Sequence, residues 1–202
     1  MIGTKRSIIL SEGATVSITS PAGLSINTTA LIGRANKQFN NTVSLETHRR
    51  CQLLPEIAVD SGYIVGNPIT GEDYLVVATY PEIIQNAKAA EICHMFVCNC
   101  LFNLVGMVET ADDRGRTTTQ PVNKLTNQQA YIQSLTADLK QYETGLHPDA
   151  EYRIFAPFND ASPLDKISVL SSSLSIPVKI VHIDYLTYSG IAVLQVCSET
   201  RA

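Results

Sequence analysis

A chain of 202 residues with 45% hydrophobic and 17% charged side chains can bury a core, which excludes disorder of the whole chain. The length fits one domain with elaborations or at most two small ones, and we read 1–202 as a single domain. A net charge of −4 excludes a global pull on nucleic acid or anionic membranes, and Lys5-Arg6, His48-Arg49-Arg50 and Arg114-Arg116 are each too short to form a phosphate track.

In chain order, residues 1–13 read as an N-terminal arm or a first edge strand. The apolar stretch within MIGTKRSIILSEG is too short for a secretory signal, so synthesis in the cytosol is expected. Ala14 to Thr19 alternates apolar and polar residues, as a half-buried strand does, and Ser20-Pro21-Ala22-Gly23 reads as a turn. Leu24 to Thr42 is rich in Asn and Thr and reads as loop with short extended pieces. Val43 to Leu54 is compatible with more than one structure. Tyr63 to Val65 and Tyr74 to Thr79 flank turn residues and predict a hairpin.

Thr79 and Glu82 have the spacing of a capping box, which predicts a short helix from about Pro81 to Ile92. Met95 to Val108 reads as one long central strand. Phe96, Cys98, Cys100, Phe102 and Leu104 would lie on one face, with Met95, Val97, Leu101, Val105 and Met107 on the other. Residues 109–124 lack apolar periodicity and predict a mobile loop. Thr126 with Gln129, then Ile132, Leu135, Leu139 and Tyr142, and Gly145 at the end, predict an amphipathic helix. The last fifty residues return to strands: Tyr152 to Pro157, Lys166 to Leu170, Pro177 to Tyr185 and Ile191 to Cys197. No internal repeat of fixed period is visible. The expected fold class is α+β and β-rich: an antiparallel sheet or small β-barrel or sandwich with one or two packed helices and long loops.

No motif specifies catalysis. Cys93-His94 with Cys98 and Cys100 is the densest soft-ligand cluster, but no second ligand pair follows at zinc spacing, and packed thiols explain it better. The five cysteines, with no export signal, read as free thiols. His182 and Asp184 share a strand face and are the candidates for a small hydrolase, yet no nucleophile in a sharp glycine-flanked turn accompanies them. His147 and Asp149 read as helix capping, and Asp112-Asp113 as a solvated acidic pair. No catalytic, metal or cofactor-binding residue is assigned, and no enzyme activity or cofactor is expected. A carbohydrate- or peptide-binding β-module is disfavoured by an aromatic content of 6% without Trp.

Two stretches carry a family resemblance. GYIVGNPITGEDYLVVATYPE, followed by Cys98-Asn99, is one. YRIFAPFNDASPLDKISVL followed by IPVKIVHIDYLTYSGIAVLQVCSE is the other. They resemble the head–tail connector and head-closure (neck) proteins of tailed bacteriophages. In those proteins a strand pair ending Tyr-Leu-Val leads to a strand that begins near Cys-Asn, and a Gly-Asp-x-Ile-like turn precedes a Val-x-x-Val step and a Gly-Ile-x-x-Leu ending. Here Leu164-Asp165-Lys166-Ile167 occupies the turn, with Leu164 in place of Gly. Val178 and Val181 give the step, and Gly190, Ile191 and Leu194 the ending. The resemblance spans Gly62 to Asn99 and Tyr152 to Glu199. It implies a structural virion protein that forms a homo-oligomeric ring joining portal or adaptor to tail terminator or tail tube. Such a ring helps retain or gate packaged DNA in its lumen without sequence readout, and has no membrane partner. A tail terminator or another tail accessory protein is the neighbouring expectation.

Overall fold

The computed structural model describes residues 2–34, 47–111, 116–143, 145–171 and 174–199. The chain divides into two compact units where the sequence reads as one domain. One holds Met1–Cys98 with Tyr188–Ile191, the other Asn99–Thr187 with Ala192–Ala202. Each unit contains one closed barrel of six strands. The protein is therefore β-rich with two helices among the described residues, as its composition and turn pattern led us to expect.

The first unit opens with helix α1 (Ile2–Glu12), not an extended arm. Its polar residues are spread around the helix, and one side chain does the anchoring: Ile9 is fully buried against Leu54, Ala90 and Ile92 on the outside of the barrel. Lys5 pairs with Glu82, and Arg6 with Glu56 at 2.8 Å. Gly13 then turns the chain directly into β1 (Ala14–Thr19), where a Cβ would collide with the Ile9 carbonyl oxygen. The Ser20–Gly23 turn is formed as expected, with Gly23 at φ +83°.

β2 (Ser25–Arg34) and β3 (His48–Leu53) replace the expected loop and the ambiguous segment. The Thr residues of β2 are β-branched and suit a pleated surface, and β2 pairs with β1 on one side and β3 on the other. The rest of the Asn/Thr-rich stretch, 35–42, lies outside the described residues. β4 (Ile64–Asn67) and β5 (Glu72–Ile84) form the predicted hairpin, turning at Gly71 with φ +70°.

The helix expected over 81–92 is not formed. Pro81 lies within β5, and β6 (Ala87–Val97) returns alongside it. Gln85 (φ 51°) and Asn86 (φ 61°) make the turn. The capping-box spacing of Thr79 and Glu82 thus falls within a strand. β6 is apolar on both faces because Cys93 and Met95 point into the barrel while Ala90 and Ile92 point out beneath α1. The barrel closes through β4 on β1, giving the order β1-β2-β3-β6-β5-β4 around a core of Val16, Ile18, Leu53, Val65, Tyr74, Val76 and Met95, among others.

The second unit begins after Cys98. The long strand expected from Met95 to Val108 is two strands, since the ladder is interrupted between β6 and β7 (Cys100–Ala111). The face assignment for Cys100, Phe102 and Leu104 is correct, as all three line the second barrel's core. Met95 belongs to the first core, so the break divides the supposed common faces between two barrels.

Strand replaces the mobile loop expected over 109–124, where β7 runs on to Ala111, 112–115 lie outside the described residues and β8 (Thr117–Ser134) follows, and β8 also takes the first half of the helix expected from Thr126. Ala130 and Ile132 point into the core, while Tyr131 stacks on Phe155. That two-residue alternation, held by pairing with β7 and with β9 (Tyr152–Pro157), prevails over the helical spacing. Helix survives only as α2 (Ala137–Tyr142), capped by Thr136 and with no buried residue. β10 (Lys166–Ser171), β11 (Leu174–Asp184) and β12 (Ile191–Ser198) agree with the expected strands, and the order is β7-β8-β9-β12-β11-β10 with β10 on β7.

Adding six to each strand number of the first barrel reproduces the second. The chain is thus a tandem repeat of one topology with no repeated text.

Replacing Gln85-Asn86 with Asn-Gly, which adopts positive φ at both turn positions with less steric conflict, should raise unfolding stability by roughly 1 kcal/mol in chemical denaturation.

Candidate functional site

The soft-ligand cluster is dispersed by the fold. Cys93 lies in the first core directly across from Cys51, and Cys100 lies in the second core, where its Sγ contacts the Ala130 carbonyl at 3.5 Å. Burial pushes both the Cys93 and Cys100 thiols up to about 12, so they stay protonated and poorly nucleophilic at neutral pH. His94 points outward and stacks on Tyr80 at 5.7 Å. Burial, then Arg50 and His48, lower its pKa and favour the neutral ring. Among the described residues no group of His, Cys, Asp and Glu is arranged to hold a metal ion.

His182 and Asp184 do lie on one strand, β11, but the Asp184 carboxylate is committed to the following turn. It accepts the Leu186 N–H at 2.8 Å, the Thr187 N–H at 3.1 Å and the Thr187 hydroxyl. These hydrogen bonds, the hydroxyl's foremost, hold its pKa below the ordinary value. The arrangement is a turn lock, with its acceptor capacity used locally. His147 follows α2 by several residues. Its Nδ1 accepts the Asp149 N–H at 3.2 Å, and its own N–H is held by Gln195 at 2.6 Å, so the pair shapes the loop after the helix. Asp112 and Asp113 lie outside the described residues.

Two of the residues that carry the family resemblance, Asn99 and Asp165, form clasps in the second unit. Asn99 imitates a strand residue with its side chain: Nδ2 donates to the Ile132 carbonyl at 2.9 Å, and Oδ1 accepts the Ile132 N–H at 2.8 Å. It registers the start of β7 on β8. Asp165 sits in the turn before β10 with its side chain 4% exposed. Its carboxylate accepts the Ser162 N–H at 2.8 Å and pairs with Lys124 of β8 at 2.9 Å. The Lys124 ammonium also donates to the Asp160 carbonyl at 3.1 Å. Its pKa is raised, the hydrogen bond to Asp165 being the largest cause.

Just beyond this clasp the barrel is overrun by a ribbon. β10 follows β7 only as far as Val105, whereas β7 and β8 stay paired from Gly106↔Val122 to Ala111↔Thr117. Beyond Gly106, which is buried, the described side chains of the ribbon are exposed, and Met107, Val108 and Val122 are 46%, 43% and 46% exposed. A two-stranded ribbon standing in water is marginal by itself. Sequence reasoning missed it because its Thr, Gln and Pro residues read as loop; the overlooked signal was the β-branched run Thr117-Thr118-Thr119 with Val122.

A cleft of about 400 Å³ opens on the same unit, lined in part by Lys166, Lys179, Cys197 and Glu199. Lys166 and Lys179 are cross-strand neighbours, an arrangement that repels, and both are exposed to solvent that screens them.

No family model matches the chain, and no curated protein matches it. The ribbon, the clasps and the cleft are therefore weighed on their own chemistry. The clasps hold strands, the turn lock holds a loop, and the ribbon faces outward with unspent pairing capacity.

Asp165→Ala should lower unfolding stability by about 2–3 kcal/mol, measured by denaturant titration, because two charge-assisted contacts are lost at a buried site. Asp184 has a depressed folded pKa. Its contribution is present above the unfolded carboxyl value and disappears as pH falls through the folded one. Thermal midpoints measured from pH 7 down to 2 should fall less steeply for Asp184→Asn than for the native chain below about pH 4.

Proposed function

We propose that this chain is a structural assembly protein that forms a ring in the neck of a tailed bacteriophage, between portal and tail. The observation that supports the assembly reading is the β7–β8 ribbon: two strands that leave a closed barrel and carry exposed apolar side chains into solvent. A monomeric protein gains little from such an extension, whereas a sister copy beside it converts marginal pairing into a wider sheet. The neck assignment rests on the resemblance of Gly62 to Asn99 and Tyr152 to Glu199 to connector and head-closure proteins.

On this reading the partners are other copies of the chain, a portal or adaptor ring on one side and a tail terminator or tube protein on the other. Packaged DNA passes through without sequence readout. The work is binding work and needs no cofactor. A tail terminator makes the same demands on the fold and is the neighbouring assignment.

Deleting 111–120 tests this directly. The shortened chain should keep its far-ultraviolet circular dichroism and its thermal midpoint within a few degrees, since Met107–Ala111 and Thr117–Pro121 lie outside the β7–β10 ladder. Negative-stain electron microscopy of the native chain, alone and mixed with a purified portal ring, should show rings that the deletion variant does not form. Equal assembly by the variant, or a native chain that stays monomeric in both conditions, counts against the reading.

A further inference from the structure

Closure into a barrel pairs most strand margins, and among the described residues the unpaired ones include two places where paired strands overrun their neighbours: β5 with β6 beyond β4 and β3, and β7 with β8 beyond β10 and β9. The second carries the ribbon described above. The two margins of the ribbon are unequal, and Pro121 makes them so. Proline has no N–H and is accommodated in a ladder where that position points away from the partner strand. Met107↔Pro121 is therefore an outward-pointing pair, and by the two-residue alternation of an antiparallel ladder so are Glu109↔Thr119 and Ala111↔Thr117. The intervening pairs, Gly106↔Val122, Val108↔Gln120 and Thr110↔Thr118, hold the ribbon together. Along β7, Met107, Glu109 and Ala111 each present both an N–H and a C=O outward. Along β8, Thr117 and Thr119 do so, and Pro121 presents a carbonyl alone.

Resting on the assembly reading above, we propose that the β7 margin over Met107–Ala111 is the docking edge of this protein, and that its occupant is the β8 margin of a second copy, held through Thr117 and Thr119. Self-pairing of two β7 margins about a twofold axis is disfavoured. Full overlap of the three outward residues would set Glu109 opposite the same residue of the second copy, two like charges directly opposed. Against β8 the Glu109 carboxylate meets threonine hydroxyls, which donate to it. The contact joins two different surfaces, so it repeats around a ring without changing its geometry, and the ribbons all point the same way with β7 antiparallel to the neighbouring β8. Pro121 stops the added pairing before it reaches the barrel.

The test uses the full-length chain and sedimentation velocity over a hundredfold range of concentration. Glu109→Pro removes one outward N–H and no ladder N–H, so the variant should remain folded by circular dichroism and require at least tenfold more protein to associate. Glu109→Gln keeps the N–H and should associate as the native chain does. Pro121→Thr restores an outward donor to β8 and should associate at several-fold lower concentration. The docking-edge assignment is overturned if Glu109→Pro associates like the native chain, or if Glu109→Gln is impaired as severely. A native chain that is monomeric throughout overturns the assembly reading as well, whereas native assembly with an indifferent Glu109→Pro overturns the docking edge alone. Should Glu109→Pro prove unfolded, the Pro121→Thr result decides: unchanged association refutes the proposal.

Discussion

Every strand carries backbone donors and acceptors along its sides, and leaving them without partners in a protein interior costs far more than a packing defect. Here that constraint is met by curling each sheet until β4 reaches β1 and β10 reaches β7. Closure gives each unit an inside, filled by alternate residues such as Val16, Ile18, Val76 and Met95 in one barrel and Phe102, Leu104, Ile154 and Leu194 in the other. It also reduces the free strand margins, which remain where paired strands overrun their neighbours, the β7–β8 ribbon among them.

The same closure explains the fate of the polar residues that first suggested chemistry. A barrel six strands round has no room inside for a polar constellation, so Cys51, Cys93 and Cys100 enter the cores as small apolar groups. The carboxylates and amides move to the ends and turns, where they hold strands in register: Asn99 on Ile132, Asp165 on Ser162 and Lys124, Asp184 on the turn through Thr187. Polar residues at these turns are thus used for geometry.

Local pattern and tertiary result agree where the pattern has a single reading. Ala14 to Thr19 alternates cleanly and is β1; Tyr152 to Pro157 is β9; the glycine turns at Gly23 and Gly71 have the positive φ that favours that residue. They part company where one spacing serves two structures. Thr79 with Glu82 and Thr126 with Gln129 resemble helix starts, but capping contributes on the order of 1 kcal/mol, and the long ladders of β5 on β6 and of β8 on β7 offer more. Residues 1–13 err in the other direction: α1 has no clear apolar stripe, and its buried apolar anchor is Ile9, visible only once Ala90 and Ile92 are beneath it.

By itself, the sequence determined that the chain has a core, that antiparallel strands dominate, and where several of them begin and end, because alternation and turn chemistry are local properties of adjacent residues. It also placed Asn99 and Asp165 among the residues worth notice, without their roles. Only tertiary structure decided that there are two barrels of one topology, that Met95 and Phe102 belong to different cores, and that the polar stretch from Thr117 is a strand. Those outcomes depend on which strands meet across tens of residues. Pairing energy is shared between partners distant in the chain, so no window of neighbouring residues contains it.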